Sequence, residues 1–560
     1  MSAEAARLRE QAVEAARGGR VHDAAALHDR AVALAPSDAS ILNSAALFWS
    51  KQGEAERALA LLRRAIDADS NNAEPLFNLC LILTGGGRAD EALALLAARE
   101  PAMQGLARYW SIRGGAERAL GRRRDALASY EVSARLDPTN AKASHGRARM
   151  ALETGQSAVE LYSPLVRAEP GNAEAWLGYA QALDADGRAG EARGVLETLV
   201  AKAPGWTEAL EALARLRWAS DEHDGFCNHY AAAVRQAPQA AVYASWSRTL
   251  AGVDRFAEAA EVAAAARIAF PDLEEFALIE AGHRGEAGED MAADAIFAGL
   301  SAMTPERALH EARHRLRMGE ADAAERLCAG VIEQLPDQVT AWALRGLAWR
   351  RLDDPRGQWL HGQDGLIRSI PLGLDRADLD RAIRYLDGLH ESSAVPVGQS
   401  VRAGTQTRGG LFDRHEPEAR RIETAFQEVI AAYRAALPAR DDRHPLLRHR
   451  DHDWRIAGSW SVRLVDAGHH IQHIHPNGLI SSAAYFAVPA SAADGQAKAG
   501  WLELGRPPVG LRLDLEPEAT IEPRVGECVL FPSTLYHGTR PFPAGKRMSV
   551  AIDINLARRE

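Results

Sequence analysis

The sequence predicts a multidomain chain in which an all-α solenoid is followed by a jelly-roll domain, or double-stranded β-helix, with flanking helices. Two observations predict this order: a periodic, helix-forming first part, and a second part in which short apolar segments alternate with turns. At 560 residues the chain is too long for one hydrophobic core, which favours two or more domains. We expect the solenoid to cover residues 1–350 and the jelly-roll domain to cover residues 351–560.

The first part of the chain is rich in Ala, Leu, Arg and Glu and repeats with a period near 34 residues. The repeat is clearest at residues 173–206, where Trp176 and Leu196 are large and Ala180 and Ala192 are small enough for two helices to approach closely. A fixed period of this length is typical of a helix–turn–helix solenoid. Proline closes successive units at intervals of 31 to 35 residues: Pro138, Pro170, Pro204, Pro238, Pro271, Pro305, Pro336 and Pro371.

This unit resembles the tetratricopeptide repeat family. About ten or eleven units can be counted, of which the one at 73–101 is short and the one at 207–240 is irregular. Each repeat buries its apolar face only by stacking on its neighbours, and the stacked array presents an extended concave surface. The resemblance therefore implies a protein or peptide partner bound by the solenoid.

Composition disfavours several other classes of protein. A net charge of -10 argues against nucleic acid as the main partner. The N-terminal segment lacks an apolar core, and no apolar run approaches the ~20 residues that span a bilayer, so we expect neither a secretory signal nor a membrane partner. The cysteines are widely separated, which disfavours a thiolate zinc site and favours a reducing, cytoplasmic location: Cys80, Cys227, Cys328 and Cys528.

After Pro371 the pattern changes. Residues 378–395 and 416–438 still look helical, but short strand-like segments separated by turns begin at Gly458. Several short strands in succession predict a β-sandwich or barrel. The predicted strands lie in "GSWSVRLV", "GLISSAAYFAVP", "GWLELG", "ATIEPRVGECVLFPS" and "RMSVAIDINL".

A group of histidines and one arginine are the candidate chemical residues. His473 and His475 are two residues apart, and on a strand such residues share a face, so both can point into one cavity. Imidazole is a ligand for iron, zinc, copper and nickel. His537 follows an apolar strand and can supply a third ligand, and ten residues later Arg547 and Ser549 share a strand face. A guanidinium at that position can bind a carboxylate through two hydrogen bonds.

The order of H-x-H, a distal histidine and an arginine ten residues later resembles the non-haem iron, 2-oxoglutarate-dependent oxygenases. It is most similar to a bacterial and phage group of 2OG-Fe(II) oxygenases that is often fused to tetratricopeptide repeats. The resemblance covers roughly residues 355–556. It is carried by "VRAGTQT" (401–407), "WRIAGSWSVRL" (454–464), "HIHPNGLISSAAYF", "GWLELGRPP" (500–508), "LFPSTLYHGTRPF" (530–542) and "RMSVAIDI".

The resemblance implies an enzyme that uses Fe(II) and 2-oxoglutarate, with ascorbate as reductant, to hydroxylate a protein or peptide recruited by the solenoid. Iron would be bound by His537 and by ligands from the His473–His475 segment. The far carboxylate of 2-oxoglutarate would bind Arg547, with a hydroxyl from Tyr485 and with Ser549 on the same face. The metal and cosubstrate carry the oxidative chemistry, and the protein positions and shields them.

The carboxylate of the usual two-histidine, one-carboxylate triad is missing here. If His473 is the first ligand, His475 occupies the carboxylate position, and the metal ligands are His473, His475 and His537. If His475 is first, Asn477 occupies that position. Of these alternatives we adopt the three-histidine assignment.

Two other interpretations of the second part remain open. The repeats can be the functional part, with a catalytically inactive jelly roll that leaves a protein-binding scaffold. A cupin-like metal enzyme without 2-oxoglutarate is also compatible with the histidines, but it gives Arg547 no role.

The remaining histidines of this half are interpreted as structural. We expect His469 and His470 to be solvated or to lie outside the ligand set. His444, His449 and His452 belong to the polar stretch "RHPLLRHRDHDW", which favours a surface segment.

Overall fold

The computed structural model describes residues 3–391, 393, 398–493 and 497–557. The chain forms two compact units that divide between Gly171 and Asn172. No helix of the described residues is both long and apolar enough to cross a membrane. The domain division at residues 350 and 351 stays a prediction, since the second unit contains both helical repeats and the β-sheets.

The first unit consists of helices joined by short turns. Small alanines such as Ala45, Ala58 and Ala65 are fully buried between helices, and leucines fill the remaining core. The helices are α1 (Ala3–Arg17), α2 (Val21–Leu34), α3 (Ala39–Lys51), α4 (Ala55–Ala68), α5 (Ala73–Gly85), α6 (Ala89–Ala97), α7 (Glu100–Met103), α8 (Ala107–Ala119), α9 (Arg123–Leu136), α10 (Ala141–Glu153) and α11 (Val159–Ala168). Each helix packs on the next, except that α6 packs on α8 past the short α7.

The second unit begins with helix pairs of the same kind. The unit at 207–240 is irregular, as expected, because turns at residues 221–227 separate α14 from a short α15. The helices are α12 (Ala173–Ala185), α13 (Ala189–Lys202), α14 (Thr207–Ala219), α15 (Asn228–Gln236), α16 (Ala240–Ala251), α17 (Phe256–Ala269), α18 (Glu275–Glu286), α19 (Asp290–Gly299), α20 (Pro305–Arg317), α21 (Ala321–Gln334), α22 (Val339–Arg351) and α23 (Arg356–His361).

A residue in the left-handed conformation marks the turn inside most repeats. In the first unit this residue is glycine, for example Gly53 at φ 84° and Gly87 at φ 77°. Glycine has no Cβ to clash at positive φ, which makes it the usual residue just past a helix end. In the second unit Asp254 adopts the same conformation at φ 62°. These turns recur with the same period as the prolines and extend the repeat to the start of the chain.

The C-terminal part contains two antiparallel sheets that form the predicted jelly roll. The larger sheet has the strand order β1-β7-β4-β9-β3-β2, and the smaller one has the order β6-β5-β8. The elements are β1 (Arg368–Pro371), α24 (Arg376–Glu391), β2 (Val401–Gln406), α25 (Pro417–Ala436), β3 (Trp454–His470), β4 (Ile480–Ala487), β5 (Leu502–Leu504), β6 (Ala519–Ile521), β7 (Glu527–Pro532), β8 (His537–Thr539) and β9 (Lys546–Leu556).

Strand alternation on β9 separates the hydrophobic core from the candidate site. Met548, Val550 and Ile552 are buried in the cluster that includes Phe426 of α25. The alternate residues of β9, which include Arg547 and Ser549, face a cavity on the other side of the sheet. Because side chains alternate between faces along a strand, one strand fixes the helix packing and the cavity lining together.

Arginines hold the repeats of the second unit against the jelly roll. Arg317 of α20 donates through Nε to the carbonyl of Gly510 at 2.8 Å. Arg402 of β2 forms an ion pair with Asp254 at 2.6 Å, and Arg512 forms one with Asp290 at 2.5 Å. The solenoid of this unit and the sheets are therefore connected at several separate points.

Most predicted elements of the second part are confirmed, and the structure adds three strands. The strand-like segments correspond to β3 to β7 and β9, whereas β1, β2 and β8 were not predicted as separate strands. The surface interpretation is wrong for His444, whose side chain is fully buried. Its Nδ1 accepts hydrogen bonds from the amides of Leu446 and Leu447, each at 3.1 Å, and its Nε2 lies 2.9 Å from the carbonyl of Leu360.

Buried neutral histidines make stability depend on pH. Burial lowers the pKa of His390 and of His444 to about 4, so the unfolded chain binds protons at these groups where the folded chain does not. Their contribution is complete above the ordinary pKa of 6.5 and is lost as pH falls towards 4. From pH 7 to pH 5 we expect each to lower the free energy of unfolding by about 2 kcal/mol, measured by urea unfolding with tryptophan fluorescence.

The variant His444→Asn separates this effect from other titrations. Asparagine keeps an acceptor but does not titrate, so the variant should lose stability less steeply between pH 7 and pH 5 than the original chain. An identical slope in both proteins would contradict the assignment.

Candidate functional site

The candidate site is centred on a backbone bridge between His473 and His537. The amide of His473 donates to the carbonyl of His537 at 3.0 Å, and the amide of His537 donates back at 2.9 Å. His537 begins β8, whose register in the smaller sheet is set by pairing with Leu504. The imidazole rings of the two histidines lie 4.2 Å apart between centroids. Two residues 64 positions apart are thus fixed side by side by main-chain hydrogen bonds.

His475 joins these two rings, although not as the sequence predicted. The segment between β3 and β4 is irregular apart from the bridge at His473, so the prediction that His473 and His475 lie on a strand is wrong. A turn follows at Pro476 and Asn477. Nevertheless, one nitrogen from each of His473, His475 and His537 lies within 4.8 Å of the other two.

Hydrogen bonds at Nδ1 fix the orientation of all three rings. Nδ1 of His473 lies 2.8 Å from the carbonyl of Ile471, and Nδ1 of His537 lies 3.2 Å from the carbonyl of Leu535. Nδ1 of His475 is hydrogen-bonded to the carboxylate of Asp553. Carbonyls and carboxylates accept hydrogen bonds, so each neutral ring carries its proton on Nδ1 and presents an Nε2 lone pair.

The Nε2 atoms of His473 and His475 face each other at 3.2 Å. Two lone pairs at that distance repel unless a proton or cation lies between them. A metal bound at about 2.1 Å by two nitrogens at roughly 90–110° would hold them about 3.0–3.4 Å apart. The donor set and its spacing therefore fit a divalent metal ion.

Burial keeps the rings of His473 and His537 neutral. Desolvation lowers the pKa of His473 to about 3, and the neighbouring His475 lowers it further. Desolvation, with His473 nearby, also holds the pKa of His537 well below its ordinary value. Since only a neutral imidazole binds metal, the low pKa values leave the site ready for a cation at neutral pH.

Arg547 is a buried cation beside the histidines. Its side chain is 1% exposed, and no carboxylate of the described residues pairs with it. Its Nε donates to the carbonyl of Gly500 at 3.2 Å, and its guanidinium carbon lies 4.9 Å from the ring centre of Tyr485. A buried charge without a counter-ion is costly, so an anionic ligand is the expected partner.

Ser549 lines the cavity beside Arg547, and Tyr485 lies directly opposite Ser549 on β4. The Tyr485 hydroxyl is buried and makes no well-oriented hydrogen bond within the described part of the chain. Burial raises the pKa of Tyr485, which keeps its hydroxyl protonated as a hydrogen-bond donor. The Tyr485 ring contacts the Arg547 guanidinium, so an anion at Arg547 would have this donor nearby.

The histidines and Arg547 line one cavity of about 650 Å³, together with Ser549 and Trp460. A second, larger cleft of about 1160 Å³ lies between the jelly roll and helices α16, α18 and α20. His473 and Phe256 line both, so the cleft leads to the histidines.

The other residues considered for the site have different outcomes. Asn477 is exposed in the turn after His475 and lines the same cavity, so its assignment to the carboxylate position stays an alternative prediction. His470 is half-buried and lies outside the ligand group, as one of the two alternatives predicted: its Nδ1 lies 3.0 Å from the hydroxyl of Ser400, which in turn lies 3.3 Å from Nε2 of His473. Sequence reasoning missed Ser400 and Asp553. Asp553 could have been found from the sequence, because it lies an even number of residues after Arg547 and so shares its face of β9.

The comparisons with known proteins agree with the two parts of this architecture. Residues 458–553 match the family model described as "Putative 2OG-Fe(II) oxygenase". Tetratricopeptide repeat models match residues 9–73, 50–114 and 156–216. The chain therefore carries tetratricopeptide repeats followed by a domain of this oxygenase family. No curated protein matches it.

Solved structures similar to the chain cover its repeats only in part. A tetratricopeptide repeat protein from Parabacteroides merdae is 15% identical, covers 43% of this chain and 97% of its own, and gives a TM-score of 0.35. A thermophilic repeat protein of Thermus thermophilus is 23% identical over 32% of this chain and 98% of its own, at 0.28. Pseudomonas aeruginosa PilF is 20% identical over 37% and 96%, at 0.33.

The convergence of three Nε2 atoms predicts one divalent metal site per chain. Titration with Co(II), followed by its visible absorption, should show one-to-one binding, and His537→Ala should weaken it at least 100-fold because one of three ligands is lost. His469→Ala is the matched control, since His469 is close to His473 in sequence but lies outside the ligand group. Equal binding by His537→Ala and His469→Ala would contradict the assignment.

Asp553 is predicted to strengthen metal binding through His475. A carboxylate that accepts the Nδ1 proton orients the ring and raises its basicity, and loss of such partners typically costs 10–100-fold in metal affinity. We expect that range for Asp553→Ala and a smaller loss for Asp553→Asn, whose amide oxygen still accepts the proton. Calorimetric titration of Co(II) measures both, and unchanged affinity in Asp553→Ala would exclude the role.

Proposed function

We propose that the chain is a 2-oxoglutarate- and Fe(II)-dependent oxygenase that hydroxylates a protein or peptide bound by its repeats. The observation that carries this proposal is the presence, in one cavity, of three converging imidazoles and a buried arginine without a counter-ion. The family match supports the same class of enzyme.

In this proposal His473, His475 and His537 hold the iron. All three ligands are neutral, whereas the usual triad of this enzyme class includes one carboxylate. Asp553 supplies a negative charge one residue removed from the metal, through the His475 ring. A carboxylate in that place partly compensates the charge of the ion while leaving the coordination to imidazole.

Arg547 would bind the far carboxylate of 2-oxoglutarate, with the Tyr485 hydroxyl as a further donor. The guanidinium is rigid because strand β9 and the carbonyl of Gly500 position it. Its planar pair of N–H groups matches a carboxylate, and burial strengthens the interaction by excluding water. Ser549, on the same strand face, adds polar lining.

When bound, iron and 2-oxoglutarate would supply oxidation by molecular oxygen: one oxygen atom would enter the succinate formed as carbon dioxide is lost, and the other would hydroxylate a substrate C–H bond. The protein's part is to orient these groups and to exclude water. The low pKa values keep His473 and His537 unprotonated, and Arg547 would hold the far carboxylate of the cosubstrate. The adjoining cleft gives a polypeptide access to His473.

The experiment is to follow succinate in the presence of Fe(II), ascorbate, 2-oxoglutarate and candidate peptides. Succinate should form at a rate that exceeds that of a His537→Ala control. If it does not, while a peptide still binds the repeats, the chain is a protein-binding scaffold with an inactive jelly roll.

Arg547 also separates this enzyme from a cupin-like metal protein. Arg547→Ala should weaken calorimetric binding of 2-oxoglutarate to the metal-loaded chain at least 100-fold, because the cosubstrate loses its charged partner, and Arg547→Lys should lose less. Arg463→Ala, on neighbouring β3 where the side chain pairs with Asp387, is the control. Binding that is unchanged in Arg547→Ala would favour the cupin-like interpretation.

A further inference from the structure

The two walls of the cleft that leads to the histidines come from different parts of the chain. Helices α16, α18 and α20 form one wall, and segments of the jelly roll around His470, Pro508 and Arg540 form the other. The cleft is larger than the metal cavity and opens into it. A polypeptide that lies in the cleft therefore contacts both the repeats and the oxygenase domain.

Positive charge dominates the surface of this cleft, although the chain as a whole carries a net charge of -10. The described lining includes five arginines against three carboxylates. Arg248 and Arg313 belong to the helical wall, whereas Arg506 and Arg540 belong to the opposite wall. Cations on both sides of one cleft favour an anionic occupant.

Two of the three carboxylates, Glu286 and Glu503, pair with arginines of the cleft and are largely covered, whereas Asp254 is 52% exposed and pairs with Arg402 outside the cleft lining. The Glu503 side chain is 5% exposed and forms ion pairs with Arg506 at 2.7 Å and Arg540 at 2.6 Å. Arg540 itself is 37% exposed, and among the described residues it uses only its Nε, on Glu503. A guanidinium has five N–H donors, so its outer groups remain to bind a ligand.

Arg248 shows the same arrangement on the helical wall. Its side chain is 70% exposed and contacts Glu211 at 2.6 Å through one terminal nitrogen. Arg313 of α20 is 32% exposed, with its Nε 3.5 Å from Glu286. Both side chains thus present positive charge to the space between the walls.

Apolar side chains are exposed between these cations. Val509 is 90% exposed and Ile471 is 38% exposed, and both line the cleft. Phe256 and Ile279 face them from the helical wall. Exposed apolar groups surrounded by polar ones are typical of a protein-binding surface, and they would be poorly used by a nucleic acid backbone.

From these observations we propose that the cleft binds an acidic, partly apolar peptide segment and presents it to the metal site. The carboxylates of the segment bind Arg248 and Arg313 on one wall and Arg506 and Arg540 on the other, while its apolar side chains cover Val509 and Ile471. This inference rests on the proposed function in taking the occupant to be the segment that is oxidised.

Fluorescence anisotropy of the full-length, Co(II)-loaded chain tests the inference without turnover. The probes are three labelled 12-residue peptides with the same leucines, whose other positions are Asp and Glu, Asn and Gln, or Lys. We expect the acidic peptide to bind at least tenfold more tightly than the amide peptide at 50 mM salt, with a smaller ratio at 500 mM because salt screens exposed charges.

Charge reversal at one wall supplies the matched variants. Arg248→Glu should weaken binding of the acidic peptide at least fivefold without affecting metal binding, and Arg248→Glu with Arg540→Gln should weaken it further. Arg440→Glu is the control, because that arginine is 51% exposed and lies outside the cleft. Both variants keep Arg506 as the partner of the buried Glu503.

Several outcomes would overturn the inference. These are equal binding of the acidic and amide peptides, no binding of any peptide at 100 μM, or equal effects of Arg248→Glu and Arg440→Glu. Tighter binding of a single-stranded oligonucleotide that also depends on Arg248 would replace the peptide with a nucleic acid. Acidic-peptide binding without succinate formation would refute the oxygenase while leaving the cleft assignment intact.

Discussion

The reciprocal backbone hydrogen bonds between His473 and His537 are the interaction on which the candidate site depends. They join the irregular segment after β3 to the first residue of β8, and so connect the two sheets at the metal-ligand group. Main-chain hydrogen bonds are insensitive to side-chain identity, whereas the rings they carry define the chemistry. With these two rings fixed, His475 needs only the bond to Asp553 to bring its Nε2 into the same group.

Neutral, acidic and basic side chains occupy separate places around the three histidines. The imidazoles of His473 and His537 are kept neutral by burial, Asp553 lies beside His475, and Arg547 is buried nearby without a counter-ion in the described chain. A cation at the histidines and an anion at Arg547 would together satisfy both ends of the cavity. The cleft beyond differs, since its exposed arginines already pair with partly or fully buried glutamates and keep outward-facing donors. Strong binding of ions inside the metal cavity and weaker electrostatic attraction of a ligand at the cleft surface thus occur at different points of one route to the histidines.

The sequence predicted the parts of this arrangement that depend on local pattern. The 34-residue period predicted the helix pairs, and the alternation on "RMSVAIDINL" predicted that Ser549 shares a strand face with Arg547. Asp553 lies on that face too, but its role was missed because its partner His475 is 78 positions earlier in the chain. Ser400 was missed because its role follows from contacts between distant segments. His473 and His475 illustrate the limit: the spacing suggested one strand, yet the rings converge through a bridge and a turn. Burial of His444 was missed for a related reason, since a polar, arginine-rich stretch surrounds it.

The central claim is that the three histidines and Arg547 together bind a metal and a 2-oxo acid. The most direct measurement is the visible charge-transfer absorption that develops when 2-oxoglutarate is added anaerobically to the Fe(II)-loaded chain. We expect a band that saturates at one 2-oxoglutarate per chain. Succinate, which lacks the 2-oxo group, should not produce this band. A metal-loaded chain whose spectrum does not change on addition of 2-oxoglutarate would contradict it.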